Sequence, residues 1–423
     1  MRLPDTLRKA SFWITASAII LASAFIAAKF PAGDFAVYYS SGLSLLDGRT
    51  DLYSPDFANG PVMDFRYPPG SVLLFLPLAL FTYPAAKFTF SALTLFLACA
   101  AVKTYWESFK QAGPDNTQKP IILILSILLC LKYFLMSMRV LNVHLIVLCL
   151  LTLSFVYLVR NRTQLAAGLM ALGISIKVFP LVSLPFFAIG KKWRFLLLTA
   201  AFGAAFVVLP SLYFGLQKNI ELHREWVDHV LRPSPFMELN RPPNQSVFGM
   251  LERLLTDMKY EDRAGDRDYP KIHVTEFDPE TVKTFGWLAA GMILIVTFST
   301  LYLVERSMID SWSGPIIFYE FGLVLCMMLI VGPWTNRIYP VALFIPATVL
   351  LHSAIVNRSV VAMVAIIPMV VASIIVPLVP GAKISRWAHV IGFDFFAPFA
   401  AWVGLLIILI RWRTKSNNTP RTA

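Results

Sequence analysis

Residues 285–304 read FGWLAAGMILIVTFSTLYLV, twenty consecutive positions without a charge. At ~1.5 Å per residue, a helix of that length covers about 30 Å, the hydrocarbon thickness of a bilayer. The run is continuous rather than alternating, so it reads as a membrane-spanning helix and not as a barrel strand. Comparable apolar segments recur at 11–28, 70–83, 85–102, 121–138, 143–158, 165–190, 195–214, 315–333, 338–356, 360–379 and 395–410. Composition agrees: 57% of the 423 residues are hydrophobic, 15% are charged and mean hydropathy is +0.65. Soluble domains carry roughly 45–50% apolar and ~25% charged residues. A soluble globular enzyme, a disordered chain and a fibre are excluded. The expectation is an all-α, polytopic membrane protein, one integral domain over 1–423 with about 11–13 spans.

Lys and Arg total 37 against 25 Asp and Glu, a net charge of +12. The basic residues gather at the ends of apolar runs, which is the positive-inside pattern and gives no reason to expect nucleic acid. Cys99, Cys130, Cys149 and Cys326 all fall inside apolar runs, without disulfide or metal-ligand spacing, and read as packing residues. Arg2, Arg8 and Lys9 precede the 11–28 run, and Lys29-Phe30-Pro31 is a poor cleavage site, so that run reads as a retained span with a cytoplasmic N-terminus. Arg411, Arg413, Lys415 and Arg421 place the 411–423 tail in the cytoplasm as well. Counting spans inward from both ends puts two polar segments, 30–68 and 215–283, on one non-cytoplasmic face of the cell membrane.

Two basic turns, Arg160-Asn161-Arg162 and Lys191-Lys192-Trp193-Arg194, both read as cytoplasmic. The 25-odd residues between them carry Lys177 and Pro180, so they are expected to form a hairpin or two short broken helices. The 70–83 segment contains Pro77 and is short enough to be re-entrant. No internal repeat is visible.

Asp34 follows the first span by a few residues, at the membrane–water boundary. A carboxylate there is screened from bulk water yet reaches a polar cavity, a setting that raises a general base toward its working range. The same residue equally suits the N-cap of a short interfacial helix beginning Phe35-Ala36.

An aspartate just after span one resembles the GT-C superfamily of membrane glycosyltransferases. So do Leu52-Tyr53 in the loop and Tyr67-Pro68 leading into the next apolar segment. Within that superfamily the chain most resembles glycosyltransferase family 87, the polyprenyl-phosphate-dependent mannosyltransferases. Ala167-Gly168-Leu169 with Ile176-Lys177-Val178-Phe179-Pro180 is similar to the family's Ala-Gly…Lys-x-x-Pro segment. Trp226-Val227-Asp228-His229, then Asn244-Gln245-Ser246, resembles its outer-loop signature, and Glu320 upstream of Pro333-Trp334 resembles a late Glu…Pro…Trp segment. The likeness covers about the first 350 residues. The chain departs from the pattern at Asn142 and His144, where the family commonly has Gln and Asn opening a span. It departs again at Asn336-Arg337, where a histidine often follows Pro…Trp.

The resemblance implies a GT-C-like fold and inverting transfer of a hexose, mannose by family, from a polyprenyl phosphate to a hydroxyl of a glycolipid or glycan. The base falls on Asp34. The phosphate leaving group needs fixed cations rather than a general acid, and Arg66, Lys177, Arg241 and Arg337 are the candidates. Lys177 interrupts an apolar run, where a charge at the bilayer centre costs at least ~2.5–3.5 kcal/mol; its alternative is snorkelling past the break at Pro180. Arg337 and Arg66 equally suit interfacial anchors. Tyr67, Asn244, Gln245 and His144 are further substrate-binding candidates. Glu320 suits either a pairing with a basic neighbour or a sugar hydroxyl. Lys132 and Arg139 read as interfacial.

Residues 261–268 are a solvated mixed-charge turn. His223, His229 and His273 lack ligand-spaced partners, so no metal and no cofactor is expected beyond the lipid-linked sugar itself. Asn244-Gln245-Ser246 is also formally a glycosylation sequon. Two other readings compete with the glycosyltransferase. A transporter or flippase of lipid-linked sugars would want midplane charges and repeats. An O-antigen ligase or polymerase would want its arginines and histidine in the long loop.

Overall fold

A computed structural model describes residues 33–54, 65–113, 119–232, 244–257, 270–307, 314–378 and 382–418, together with Lys29, Phe57 and Trp312. The expected first span at 11–28 and the cation candidate Arg241 lie outside these residues. Among the described residues there are helices and no strands, apart from one isolated bridge between Asn244 and Asn336.

The helices in chain order are α1 (Gly33–Leu46), α2 (Ser71–Ala79), α3 (Tyr83–Ala112), α4 (Pro120–Val140), α5 (His144–Val159) and α6 (Thr163–Ile176). Then come α7 (Leu184–Ile189), α8 (Trp193–Val208), α9 (Leu216–Trp226), α10 (Val247–Leu255) and α11 (Pro279–Ser307). The last are α12 (Ile316–Val331), α13 (Phe344–Ile355), α14 (Val360–Val370), α15 (Ala382–Ile391) and α16 (Phe393–Asn418). Among the described residues, six segments are long and apolar enough to cross a membrane: Tyr83–Ala112, Pro120–Val140, Trp193–Phe214, Pro279–Glu305, Val360–Leu378 and Phe393–Thr414. Five shorter apolar segments accompany them: His144–Val159, Thr163–Ile176, Phe179–Ile189, Ile316–Val331 and Tyr339–Ile355.

The sequence already explains which helices lie inside. A helix that is apolar on every side must be covered on every side. Every residue of α12 is buried, as are nearly all of α5. By contrast, α9 and α15 are amphipathic, polar on one face, and follow or precede spans rather than crossing. The expected broken segment is present: α6 ends at Ile176, Lys177 is extended (φ −154°, ψ 126°), and a 3-10 turn at Phe179–Ser183 leads into α7. The 70–83 segment is a nine-residue helix, α2, with Pro77 inside it. At ~1.5 Å per residue that is about 13 Å, far short of a bilayer.

The chain divides into two compact units. The first contains the residues up to Glu107 with Leu135–Pro180 and Leu197–Arg232. In it α1 packs on α2 and α5 on α6. The second contains Ser108–Phe134, Leu181–Leu196 and the chain from Pro233 onward. There α16 packs against α11, α12 and α14. Gly404 of α16 meets α14 so closely that a Cβ would stand 2.5 Å from the Ala365 Cβ. Trp402 Nε1 of α16 donates to Thr297 Oγ1 of α11 across 2.9 Å.

Candidate active site

In the first unit the site is built on the turn between α4 and α5. Helix α4 closes with the Leu141 amide bonded to the Ser137 carbonyl at 2.8 Å, and Leu141 adopts a left-handed φ of 53°. A buried leucine is an unfavourable choice for that conformation, where glycine is the usual residue. Such strain persists where the surroundings fix it, and functional sites are where it clusters. Here it delivers the next residue, Asn142, to Asp34. Asn142 Nδ2 donates to Asp34 Oδ2 at 2.6 Å, while Asn142 Oδ1 accepts from the His144 backbone amide at 2.7 Å. The second bond fixes which end of the carboxamide faces the carboxylate.

Asp34 itself lies in the first turn of α1, which begins at Gly33. It is therefore not the cap of a helix starting at Phe35, and its negative charge meets the favourable end of the α1 dipole. One turn on, Tyr38 is fully buried and its hydroxyl is 2.8 Å from the Tyr67 hydroxyl. The same Tyr38 oxygen accepts from the Val143 amide at 3.1 Å, clipping the α4–α5 turn to α1. Burial, aided by the Tyr67 hydroxyl and the Asp34 charge, pushes the Tyr38 phenol well above its ordinary range, so it stays protonated. The Tyr67 carbonyl accepts from Tyr53 at 2.8 Å, and Arg66 sits beside it, half-buried. The His144 ring lies 5.4 Å from that of Phe179, and Lys177 is within electrostatic reach of His144. The structure thus gathers Asp34, Asn142, His144 and Lys177, with Tyr38 and Tyr67 alongside.

In the second unit, Asn244, Gln245 and Ser246 are fully buried. Asn244 Oδ1 accepts from the Ser246 and Thr335 amides at 3.1 and 3.2 Å, and its Nδ2 donates to the Pro333 carbonyl at 3.1 Å. The Gln245 amide donates to the Thr335 carbonyl at 2.7 Å, and its Nε2 to the His389 carbonyl at 3.0 Å. Gly249 permits this packing, since a Cβ there would meet the Asn244 carbonyl at 2.6 Å. These amides shape the 333–337 turn, which presents Arg337. The Arg337 guanidinium is half-buried and makes no ion pair or hydrogen bond among the described residues.

Three participants were not singled out from sequence. Arg253, 2% exposed, donates to the Asn244 carbonyl at 2.6 Å and to the Val390 carbonyl at 3.0 Å. His389 lies near Arg337; burial first, then Arg337, push its imidazole down to about 4, so it is neutral at pH 7. Asp394 pairs with Lys132 at 2.9 Å and accepts from Tyr133 at 2.9 Å. Lys132, read as interfacial, thus pairs with a carboxylate in the first turn of α16. A lone charge in an apolar run was the available signal for Lys132; Arg253, beside Glu252 in the polar 215–283 segment, and His389 offered none.

Glu320 is 3% exposed, its Oε1 has no hydrogen-bond partner, and it forms no ion pair among the described residues. It stands eleven residues before the end of α12, about 16 Å along the axis from the 333–337 turn. Asp257, His273 and Glu276 bring possible ligand atoms within 4.8 Å of one another. All three are exposed, and Lys271 already pairs with Asp257.

The family model for glycosyltransferase family 87 matches residues 65–307. The match takes in Tyr67, Asn142, His144, Lys177, Asn244 and Gln245, while Asp34, Glu320 and Arg337 lie outside it. It is narrower than the 350 residues over which motifs were traced. No curated protein matches the chain.

Proposed function

The chain belongs to glycosyltransferase family 87 and is a glycosyltransferase, and on that premise we propose a polyprenyl-phosphate hexose donor and Asp34 as the base. An acceptor hydroxyl, on a glycolipid or glycan at the non-cytoplasmic face, loses its proton to the Asp34 carboxylate as its oxygen attacks the anomeric carbon. The bond from that carbon to the phosphate oxygen breaks, the electron pair leaves with the polyprenyl phosphate, and the configuration inverts. Mannose is the sugar the family resemblance favours.

The observation that carries this reading is the 2.6 Å bond from Asn142 to Asp34, made by a turn strained at Leu141 and clipped by Tyr38. A carboxylate aimed by a dedicated carboxamide is pre-organised, which is what a general base requires. In the same unit Lys177 supplies a cation at a helix break, suited to the charge that develops on the departing phosphate.

Purified Asp34→Asn protein, assayed with polyprenyl-phosphate-mannose and candidate acceptors, should lose at least about 100-fold in turnover, the low end of general-base contributions. Wild-type turnover in that variant would end the proposal.

A further inference from the structure

In the first unit a cavity of about 510 Å³ opens where α8 gives way to the amphipathic α9, and no residue of the Asp34 cluster lines it. Its walls are apolar, formed by Val207, Val208, Leu216, Ile220 and Val227. Leu209 and Leu212, which flank the lining residue Ser211 in sequence, are exposed, as expected where a span meets the lipid boundary.

The rim is polar and net positive. Arg232 pairs with Asp228, but Arg224 makes no ion pair among the described residues. Between wall and rim stands Asn219, 3% exposed. Its Nδ2 donates to the Val207 carbonyl and to Ser211 Oγ, both at 2.9 Å. That leaves Asn219 Oδ1 buried without a hydrogen-bond partner. A buried acceptor left unpaired is costly, and such groups in folded proteins call for a donor from elsewhere.

We propose that this groove binds an anionic glycerophospholipid whose headgroup carries a free hydroxyl. The acyl chains lie along the Val208–Ile220 wall, the phosphate faces Arg224, and a headgroup hydroxyl donates to Asn219 Oδ1. An apolar wall alone would accept any lipid. Unmatched positive charge selects phosphate without a compensating choline, and the orphaned acceptor selects a hydroxyl donor.

The test uses the full chain in mixed micelles, with bound lipid read by native mass spectrometry. Phosphatidylglycerol should be retained about tenfold over phosphatidylcholine, the ratio one charge-assisted hydrogen bond confers. Arg224→Ala should erase that preference, and Ile220→Trp, which fills the groove, should reduce retention of both lipids. Both positions are exposed, so neither change disturbs a packed core. Glycerol 1-phosphate at equal concentration should not displace the lipid. Equal retention of the two lipids by the wild type, undiminished preference in Arg224→Ala, or displacement by glycerol 1-phosphate would each overturn the assignment. Sugar transfer is not the readout, so the result is independent of the proposed reaction.

Discussion

The Asn142 carboxamide cannot turn over without breaking two hydrogen bonds, because its oxygen is held by the His144 amide and its nitrogen by Asp34. Hydrogen bonds to charged groups contribute about 1.5–3 kcal/mol. Asn142→Ala should therefore slow turnover by roughly 10- to 150-fold while leaving the donor KM in place. Combined with Asp34→Asn it should add nothing further; an additive loss would show that Asn142 acts apart from the base. His389 makes a second prediction at this scale. Its imidazole is depressed to about 4 in the fold against ~6.5 when unfolded. Between those values the unfolded chain binds more protons, so stability falls as pH drops through that window. His389→Gln should flatten the dependence, measured as detergent-phase melting temperature from pH 7 to pH 4.

Helix ends and crossings set the tolerances of the elements. Leu141, Asn161, Lys191 and Arg358 all hold left-handed φ between 51° and 59° just past a helix. Lys191 and Arg358 are exposed, so their side chains give back little for the strain. Glycine at either position should stabilise the protein by about 0.5–1 kcal/mol, seen as a higher melting temperature. Leu141→Gly should not, because it empties a buried site. The α14–α16 crossing works the other way. Gly404→Ala forces a carbon to 2.5 Å from Ala365, and overpacking of this kind costs about 1–3 kcal/mol. A variant with unchanged melting would mean that the two helices part easily.

For the whole molecule, the charge distribution predicts an orientation in which the 30–68 and 215–283 segments share the non-cytoplasmic face. Cysteines placed at Asp47 and Glu276 should react with a membrane-impermeant reagent in intact cells, and one at Thr414 only after permeabilisation. The reverse pattern, or a split between the first two, would refute the orientation. Asn244 is fully buried, so its sequon is closed to glycosylation once the chain has folded.

Hydropathy alone determined that this chain is a helical membrane protein, and the charge of Lys177 beside Pro180 marked where a helix would break. Both follow from local energetics: apolar residues repeat where a bilayer must be crossed, and a charge within them must find a break, a partner or water. The neighbours of Asp34 were a different matter. Asn142 stands 108 residues away in sequence and registered only as a departure from a family pattern. His389 came near Arg337 only through folding, in a chain that carries Asn336-Arg337 where a histidine often follows Pro…Trp. Likewise only folding buried Asn244 and Gln245 and bonded them to the 333–337 turn. Those roles depend on which side chains meet across long separations, and periodicity carries no information about partners. Tertiary packing alone decided them, because a buried polar group takes its function from the group that satisfies it.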